Sequence, residues 1–297
     1  MKNQYVGDIG DYGKYGLLRF LASNGIKIGV NWYLTEDDGS TDGKFVNYLT
    51  EGKGKDRDPE LFEALRNITS CNEKTIRMCE ELIPNAVYYR EKVPVHKDPE
   101  AQRINRRLWF NNSTLFLREA ELVFADPDNG MLSEKKTAGN KGAEKYILPE
   151  EAKLYYESGR DVVYYCHKGR RKQAAWEETK TQMKMVLPDS QLLVLTYHRG
   201  TQRSYIFVIH PDHYSEYEKL LFEFRQTKWK DDFTRETVND KTLREGIAEA
   251  ILEVMLSDGS TLQMSVDTEG NFFYTSSREP TRKYTITPDK LSQLLLQ

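Results

Sequence analysis

The sequence predicts an α/β fold, a mostly parallel sheet with helices on both faces and a terminal antiparallel hairpin. Short apolar runs bounded by turn residues, at 122–125 and 161–166, are typical of buried parallel strands. Helical patterns alternate with these runs, which favours crossover connections that cover both sides of the sheet. Two later strand patterns, at 191–197 and 204–209, are joined by a connection too short for a crossover, so they indicate a hairpin.

The first predicted element is a helix at 17–22. It follows a glycine-rich run and ends at the Ser-Asn-Gly sequence of residues 23–25, a good C-terminal cap. A strand at 28–34 comes next. Further along, Pro149 suits the first position of a helix. In chain order, the other predicted helices cover 59–67, 73–82, 105–119, 149–158, 173–185 and 214–224, and a further strand covers 86–90.

The C-terminal part of the chain predicts a small β-rich module. Its strand patterns and a closing helix cover 252–256, 261–266, 271–274 and 288–295. We therefore predict two domains, a catalytic domain at 1–230 and a small α+β module at 243–297.

The composition excludes several classes of protein. Of the 297 residues, 38% are hydrophobic and 30% are charged, which is ordinary for a folded soluble protein. No apolar run approaches the roughly 20 residues that span a bilayer, and the N-terminus has no apolar signal region, so we expect a cytoplasmic protein without a membrane partner. Three cysteines, at positions 71, 79 and 166, are too few and too scattered for a disulfide framework or a zinc site. We expect no metal.

The net charge leaves a nucleic-acid partner open. It is −3, whereas proteins that bind nucleic acid over their whole surface are usually basic. A local basic stripe can be enough, and two exist, at 103–107 and 168–172. A solvated helix face explains each stripe equally well.

Three polar loops follow strand patterns, and in a parallel sheet the ligand crevice lies beyond the carboxyl ends of the strands. In the second loop, Asp126 precedes a proline, which favours an extended exit from the strand. Asp128 and Asn129 follow, and their carboxylate and amide groups can read the edge of a base or position a water. A plain turn is the alternative, because Asp, Asn and Gly are good turn formers. We favour function, with these three residues as catalytic candidates.

The other two loops carry opposite charges. The acidic loop at 35–44 could bind magnesium or a ribose, or could simply be solvated. His167 lies at a strand end and is the histidine best placed for acid–base chemistry. Arg170 and Arg171 follow it and could hold phosphates. All three are candidate substrate-binding residues.

The N-terminal run at 7–16 has four glycines that alternate with Asp, Tyr and Lys ahead of a predicted helix. Glycines let a backbone approach a ligand closely, and N–H groups at a helix start suit an anion such as phosphate. A floppy N-terminus is the alternative. Asp11 is therefore a further catalytic candidate. The candidate substrate-binding residues in this part of the chain are Tyr12, Lys14, Asn31 and Tyr33.

Several segments resemble the 23S ribosomal RNA adenine-N6 methyltransferases. Residues 10–18, Gly-Asp-Tyr-Gly-Lys-Tyr-Gly-Leu-Leu, look like the N-terminal Ala-Asp-x-x-Lys-His-x-x-Leu segment that borders the SAM site in that family. Residues 122–129 resemble the strand ending in Asp-Pro-Pro-Tyr that holds the target amino group, and residues 191–209 resemble its final strands. The glycine-rich run and the Asp-Pro-Asp-Asn-Gly loop are also similar to a widespread bacterial family. The resemblance covers roughly residues 1–225 and implies a methyltransferase-type, Rossmann-like sheet.

Departures from that family direct our hypothesis about function. Asp128 stands where the family has its second proline, and Asn129 where it has the aromatic residue that stacks on the flipped base. The glycine-rich turn of a SAM site is missing after the first strand. We therefore expect a DNA-directed hydrolase without a cofactor, which flips a modified base into a polar pocket and excises it. The functional analogy is to DNA glycosylases that act on modified phage bases in antiviral defence.

Three alternatives stay open at this point. The layout itself implies a SAM-dependent nucleic-acid amino-N methyltransferase. The acidic loop, with Asp37 and Asp42, could instead hold magnesium for a metal-dependent nuclease. A non-catalytic binding module would use the polar loops to recognise a partner or a nucleotide signal.

Overall fold

The computed structural model describes residues 1–37, 39, 43, 45–133, 136–169 and 171–238, and the strands of a smaller unit between 252 and 286. The chain divides into two compact units, Met1–Val238 and Asn239–Gln297. Within the described stretches, no helix is both long enough and apolar enough to cross a bilayer.

The first unit contains a seven-stranded mixed sheet with the strand order β2-β1-β3-β4-β6-β5-β7. The first four strands in this order pair with one another in parallel, and the three remaining pairs are antiparallel. The strands are β1 Ile28–Asn31, β2 Val87–Tyr89, β3 Leu122–Ala125, β4 Asp161–Cys166, β5 Gln191–Tyr197, β6 Arg203–Ile209 and β7 Phe233–Glu236. The predicted α/β class, the parallel early strands and the antiparallel hairpin are confirmed.

Helices connect the strands. They are α1 Ile9–Ser23, α2 Asn47–Glu51, α3 Pro59–Thr69, α4 Pro99–Phe116, α5 Pro149–Glu157, α6 Gln173–Val186 and α7 Tyr214–Phe224, with 3-10 turns at Asn3–Tyr5, Ile76–Leu82 and Ala143–Lys145. The predicted helix at 73–82 is therefore a 3-10 segment, and α2 and β7 were not predicted. α3 and α4 each begin with an Asp-Pro pair, whose carboxylate accepts a backbone N–H of the first turn.

The glycine-rich run at 7–16 was predicted to lie ahead of a helix, but from Ile9 onward it forms the first turns of α1 itself. Asp8 starts the helix early, because its Oδ1 accepts the backbone N–H of Gly10 at 2.8 Å. The glycines allow aromatic rings to pack directly on the helix backbone. A Cβ added at Gly13 would lie 2.7 Å from the ring of Tyr197, and one at Gly16 would lie 2.3 Å from Trp229.

Both faces of the sheet are covered, which gives three layers. Alternate residues of each strand point to opposite faces. Phe124 and Val163 belong to the core under α1, α3 and α7, and Val123 and Val162 belong to the core under α4, α5 and α6. Because helices cover both faces, a ligand can reach the sheet only at the ends of its strands.

The second unit contains a four-stranded antiparallel sheet in the order β11-β10-β9-β8. Its strands are β8 Leu252–Met255, β9 Thr261–Val266, β10 Phe272–Ser276 and β11 Glu279–Ile286. The three predicted strands correspond to β8, β9 and β10, and β11 was not predicted. The predicted helix at 288–295 lies outside the described residues. The first unit extends beyond the predicted boundary at 230, because β7 pairs with β5.

Candidate functional site

A polar cavity of about 340 Å³ lies at the carboxyl ends of β3 and β4, beside the first half of α1. The antiparallel β6 begins at this edge, since Ser204 pairs with Cys166 at the end of β4. Six of the predicted site residues line the cavity, namely Asp11, Lys14, Asp126, Asp128, Asn129 and His167. The structure therefore brings together residues that are far apart in the chain.

A buried ion cluster forms one wall of the cavity. The Nζ of Lys14 lies 2.7 Å from Oδ2 of Asp126 and 2.8 Å from Oδ1 of Asp11. Asp11 and Lys14 are three residues apart on α1, so their side chains share one side of the helix. The other oxygen of Asp11 accepts the backbone N–H of Gly7 at 3.0 Å. None of the described residues donates a side-chain hydrogen bond to Oδ1 of Asp126.

The cluster sets the charge of its members. Burial raises the pKa of Asp126 above the usual value for a carboxyl group, and the neighbouring Lys14 ammonium offsets part of this effect. Burial alone would lower the pKa of Lys14, but the carboxylates of Asp11 and Asp126 outweigh it, so the pKa is raised. Lys14 is therefore held as an ammonium, and Asp126 is more basic than an exposed carboxylate.

The carboxylate of Asp128 is engaged by the N-terminal residues. The amino group of Met1 lies 2.8 Å from its Oδ1, and Nζ of Lys2 lies 3.8 Å from its Oδ2. The hydroxyl of Thr35 donates to Oδ2 at 3.2 Å. Next to it, Asn129 is anchored by its backbone N–H, which donates to the carbonyl of Lys145 at 2.9 Å. The anchored backbone leaves the Asn129 side chain as part of the cavity lining.

Arg203 lines the cavity, although it was not among the predicted site residues. It is the first residue of β6, and its Nη2 donates to Oδ1 of Asp8 at 2.6 Å. The guanidinium lies on the bare backbone of Gly10, where an added Cβ would lie 2.2 Å from Nε. Its position in the predicted hairpin was the available signal, because an antiparallel strand beside β4 begins where β4 ends.

Tyr165 and Tyr205 form an aromatic wall that was also missed. They are directly paired across β4 and β6, and their rings meet edge to face with centroids 6.4 Å apart. The ring of Tyr165 also stacks on His167 at 6.3 Å. Side chains two residues apart on a strand share a face, so Tyr165 could have been inferred from the choice of His167. The hydroxyl of Tyr205 is buried and has no hydrogen-bond partner among the described residues.

His167 is held in the neutral form. Burial lowers its pKa, and the positive charges of Arg171 and Arg203 lower it further. Its Nδ1 is buried and has no partner in the described part of the chain. Arg171 does not line the cavity, and its Nη1 donates to the carbonyl of His167 at 2.7 Å. Arg170, predicted to bind substrate, lies outside the described residues.

Three further candidate residues lie in the interior, away from the cavity lining. Asn31 donates from Nδ2 to the hydroxyl of Tyr155 at 3.1 Å and accepts the backbone N–H of Tyr33. The hydroxyl of Tyr33 donates to Glu151 at 3.0 Å. The hydroxyl of Tyr12 donates to the carbonyl of Gly54 at 2.8 Å. Their polar groups are thus already satisfied by the protein, and these contacts hold the elements around the cavity together.

The cavity carboxylates are not arranged as a cation site. Lys14 already occupies the place between Asp11 and Asp126 that a cation would take. In the predicted acidic loop, Asp37 accepts a backbone N–H and Glu36 pairs with Lys92. Asp38 and Asp42 lie outside the described residues. One group of potential metal ligands does occur in the described stretches, at the opposite ends of the strands, where β4 begins.

The chain was compared with protein-family models and with curated proteins. No family model and no curated protein matches it.

Proposed function

We propose that this chain is a hydrolase that removes a base from DNA after the nucleotide flips into the cavity. The observation that carries the proposal is the carboxylate of Asp126. It is buried, it is fixed through Oδ2 by the ammonium of Lys14, and its Oδ1 receives no side-chain hydrogen bond from the described residues. A fixed carboxylate at a cavity wall suits the hydrolysis of a glycosidic bond, whose transition state carries positive charge on the sugar.

In the proposed reaction, a water adds to C1′ of the sugar while the bond from C1′ to the base nitrogen breaks. Asp126 stabilises the positive charge on the sugar and accepts a proton from the water. The raised pKa of Asp126 makes it a stronger base than an exposed carboxylate. The base leaves with the bonding electron pair and gains a proton, and the DNA keeps an abasic sugar.

The cavity walls supply the other functions that base excision requires. Tyr165, which is half-buried, offers aromatic surface for stacking a flipped base, and the fully buried ring of Tyr205 supports it from behind. Asn129 can read a base edge through its amide, and the N–H of the neutral imidazole of His167 can donate a hydrogen bond to the departing base, which takes its proton from water. Arg203 adds positive charge at the cavity wall, which suits a nearby phosphate, although its guanidinium is paired with Asp8. A volume of about 340 Å³ is enough for a small ligand such as one nucleotide, but not for a duplex.

A SAM-dependent methyltransferase is the second candidate, and the strand order favours it. β6 lies between β4 and β5 in the sheet and is antiparallel to both. The resemblance to adenine-N6 methyltransferases implies an antiparallel strand in this position. However, Met1 lies across the ends of β1 and β3, where such sheets bind their cofactor. Its amino group donates to the carbonyls of Tyr33 and Asp126, each at 3.1 Å, and its carbonyl accepts the N–H of Thr35. Met1 therefore takes the space that SAM would need, so we favour hydrolysis over methyl transfer.

The test is an abasic-site assay on plain, hydroxymethylated and glucosylated DNA. We expect the purified chain to form abasic sites on at least one modified DNA, without SAM or added metal. Asp126→Asn should lower the rate by about 100-fold or more, since general base catalysis contributes that much. Asp189→Asn, a matched change at an exposed position, should leave the rate unchanged.

Two results would overturn the proposal. One is the absence of abasic sites on all three DNAs with folded wild-type protein. The other is an Asp126→Asn variant that is fully active. Calorimetric titration with SAM and S-adenosylhomocysteine separates the second candidate, because a methyltransferase must bind at least one of them.

A further inference from the structure

We propose that Asp161, His210 and His213 form a binding site for one divalent transition-metal ion of the zinc type. The cavity lies where β4 ends, whereas this site lies at the opposite ends of the strands, where β4 begins and β6 ends. Asp161 is the first residue of β4, and His210 directly follows β6. Because β4 and β6 are antiparallel, the start of one strand lies beside the end of the other. His213 is the residue before α7, which brings it back to the same place.

The three side chains converge on one point. Oδ1 of Asp161 lies 2.9 Å from Nδ1 of His210, and its Oδ2 lies 2.8 Å from Nδ1 of His213. One ligand atom from each residue lies within 4.8 Å of the other two. A zinc ion binds nitrogen and carboxylate oxygen at about 2.0–2.2 Å. The side chains therefore need to separate only slightly for an ion to replace the two Nδ1–H hydrogen bonds.

The donor set has the chemistry of a zinc site with an open position. Two imidazoles and one carboxylate are typical of sites that keep a fourth place for water. Asp161 is buried, whereas the side chains of His210 and His213 are 22% and 45% exposed. The ion would thus reach its ligands from solvent, and its fourth position would face solvent.

Neighbouring groups hold the ligands in orientation, as they do around known metal sites. The ring of His210 stacks on Tyr156, with centroids 3.8 Å apart and planes within 6°. The backbone N–H of His210 donates to Oδ1 of Asp161 at 2.8 Å. The Nε2 of His213 lies 3.8 Å from a carboxylate oxygen of Asp212, so the proton that moves to Nε2 when Nδ1 binds the ion has an acceptor nearby.

The proposal is tested on the full chain after dialysis against a chelator. Calorimetric titration with Zn²⁺ should show one equivalent bound, and Zn²⁺ should raise the unfolding temperature, because an ion that binds only the folded state stabilises it. Co²⁺ should bind with a visible absorption band that Zn²⁺ removes. His213→Gln and His210→Gln should each weaken Zn²⁺ binding by at least about tenfold.

His198→Gln is the matched control, since His198 bonds to Thr234 away from the site. It should bind Zn²⁺ like the wild type, and so should Asp126→Asn. These two variants keep the result separate from the fate of the proposed base excision. The proposal is overturned if the folded wild type does not bind one equivalent of Zn²⁺, or if His213→Gln, folded by circular dichroism, binds it as tightly as the wild type.

Discussion

At the scale of single residues, Lys14 is the ammonium that holds the cavity wall together. It is buried and contacts two buried carboxylates, Asp11 and Asp126. A buried ion pair adds little net stability compared with an apolar contact, but removing one partner leaves an uncompensated charge. The cluster therefore couples the stability of the first unit to the geometry of its candidate catalytic group.

Lys14→Met should destabilise the chain by about 3–5 kcal/mol at pH 8. Without the ammonium, the buried carboxylate of Asp126 is left with a pKa further above its unfolded value of about 3.9. The folded state then takes up a proton before the unfolded state does. The loss is thus fully present above the raised folded-state pKa and shrinks as the pH falls through it. Urea unfolding at pH 8 and pH 5 measures both effects.

Lys153→Met is the control, because Lys153 makes only an exposed pair with Glu157 on α5. It should change the stability by no more than about 0.5 kcal/mol at either pH. An equal and small loss in both variants would contradict the role of Lys14 in the cluster.

At the scale of elements, α1 shows how tertiary packing overrides local preference. Three glycines, at positions 10, 13 and 16, lie within α1, and each costs a helix about 1 kcal/mol relative to alanine. The sequence therefore predicts a helix that starts only at residue 17, whereas α1 begins at Ile9. The glycines are compatible with the helix because the rings of Tyr197 and Trp229 take the space of their missing side chains.

Gly16→Ala should destabilise the chain by about 1–3 kcal/mol, the cost of overpacking a core. Helix propensity alone predicts the opposite sign. The reason is the ring of Trp229, which lies 2.3 Å from the place of the new Cβ. Thermal unfolding of Gly16→Ala and of the control Ser23→Ala, at an exposed position of the same helix, distinguishes the two. A more stable Gly16→Ala variant would mean that α1 does not pack in this way.

At the scale of the whole molecule, the chain consists of two units whose boundary follows β7. This strand pairs with β5 and is the edge of the seven-stranded sheet. Its last residue, Glu236, accepts hydrogen bonds from Lys180 and Trp176 of α6, at 2.8 and 3.2 Å. β7 thus belongs to the first unit, although it lies beyond residue 230, the predicted end of that domain.

A fragment of residues 1–238 should unfold cooperatively, and a fragment of residues 1–230 should be less stable by at least about 3 kcal/mol. The shorter fragment loses β7 and the fully buried ring of Phe233, and removal of a buried aromatic side chain alone costs about that much. Urea unfolding of the two fragments gives the difference. Equal midpoints would show that β7 contributes nothing to the sheet.

Local patterns in the sequence were sufficient for the α/β class, for β3, β4 and the hairpin, and for the cavity residues next to strand ends, such as Asp126 and His167. Apolar runs, turn residues and short connections are properties of neighbouring residues, so no long-range contact is needed to recognise them. The partners of those residues were decided by packing. Arg203 reaches Asp8, and Asp161 meets His210, only because β6 runs antiparallel beside β4. Strand order and register bring together side chains that are distant in the chain, and they depend on burial over the whole sheet.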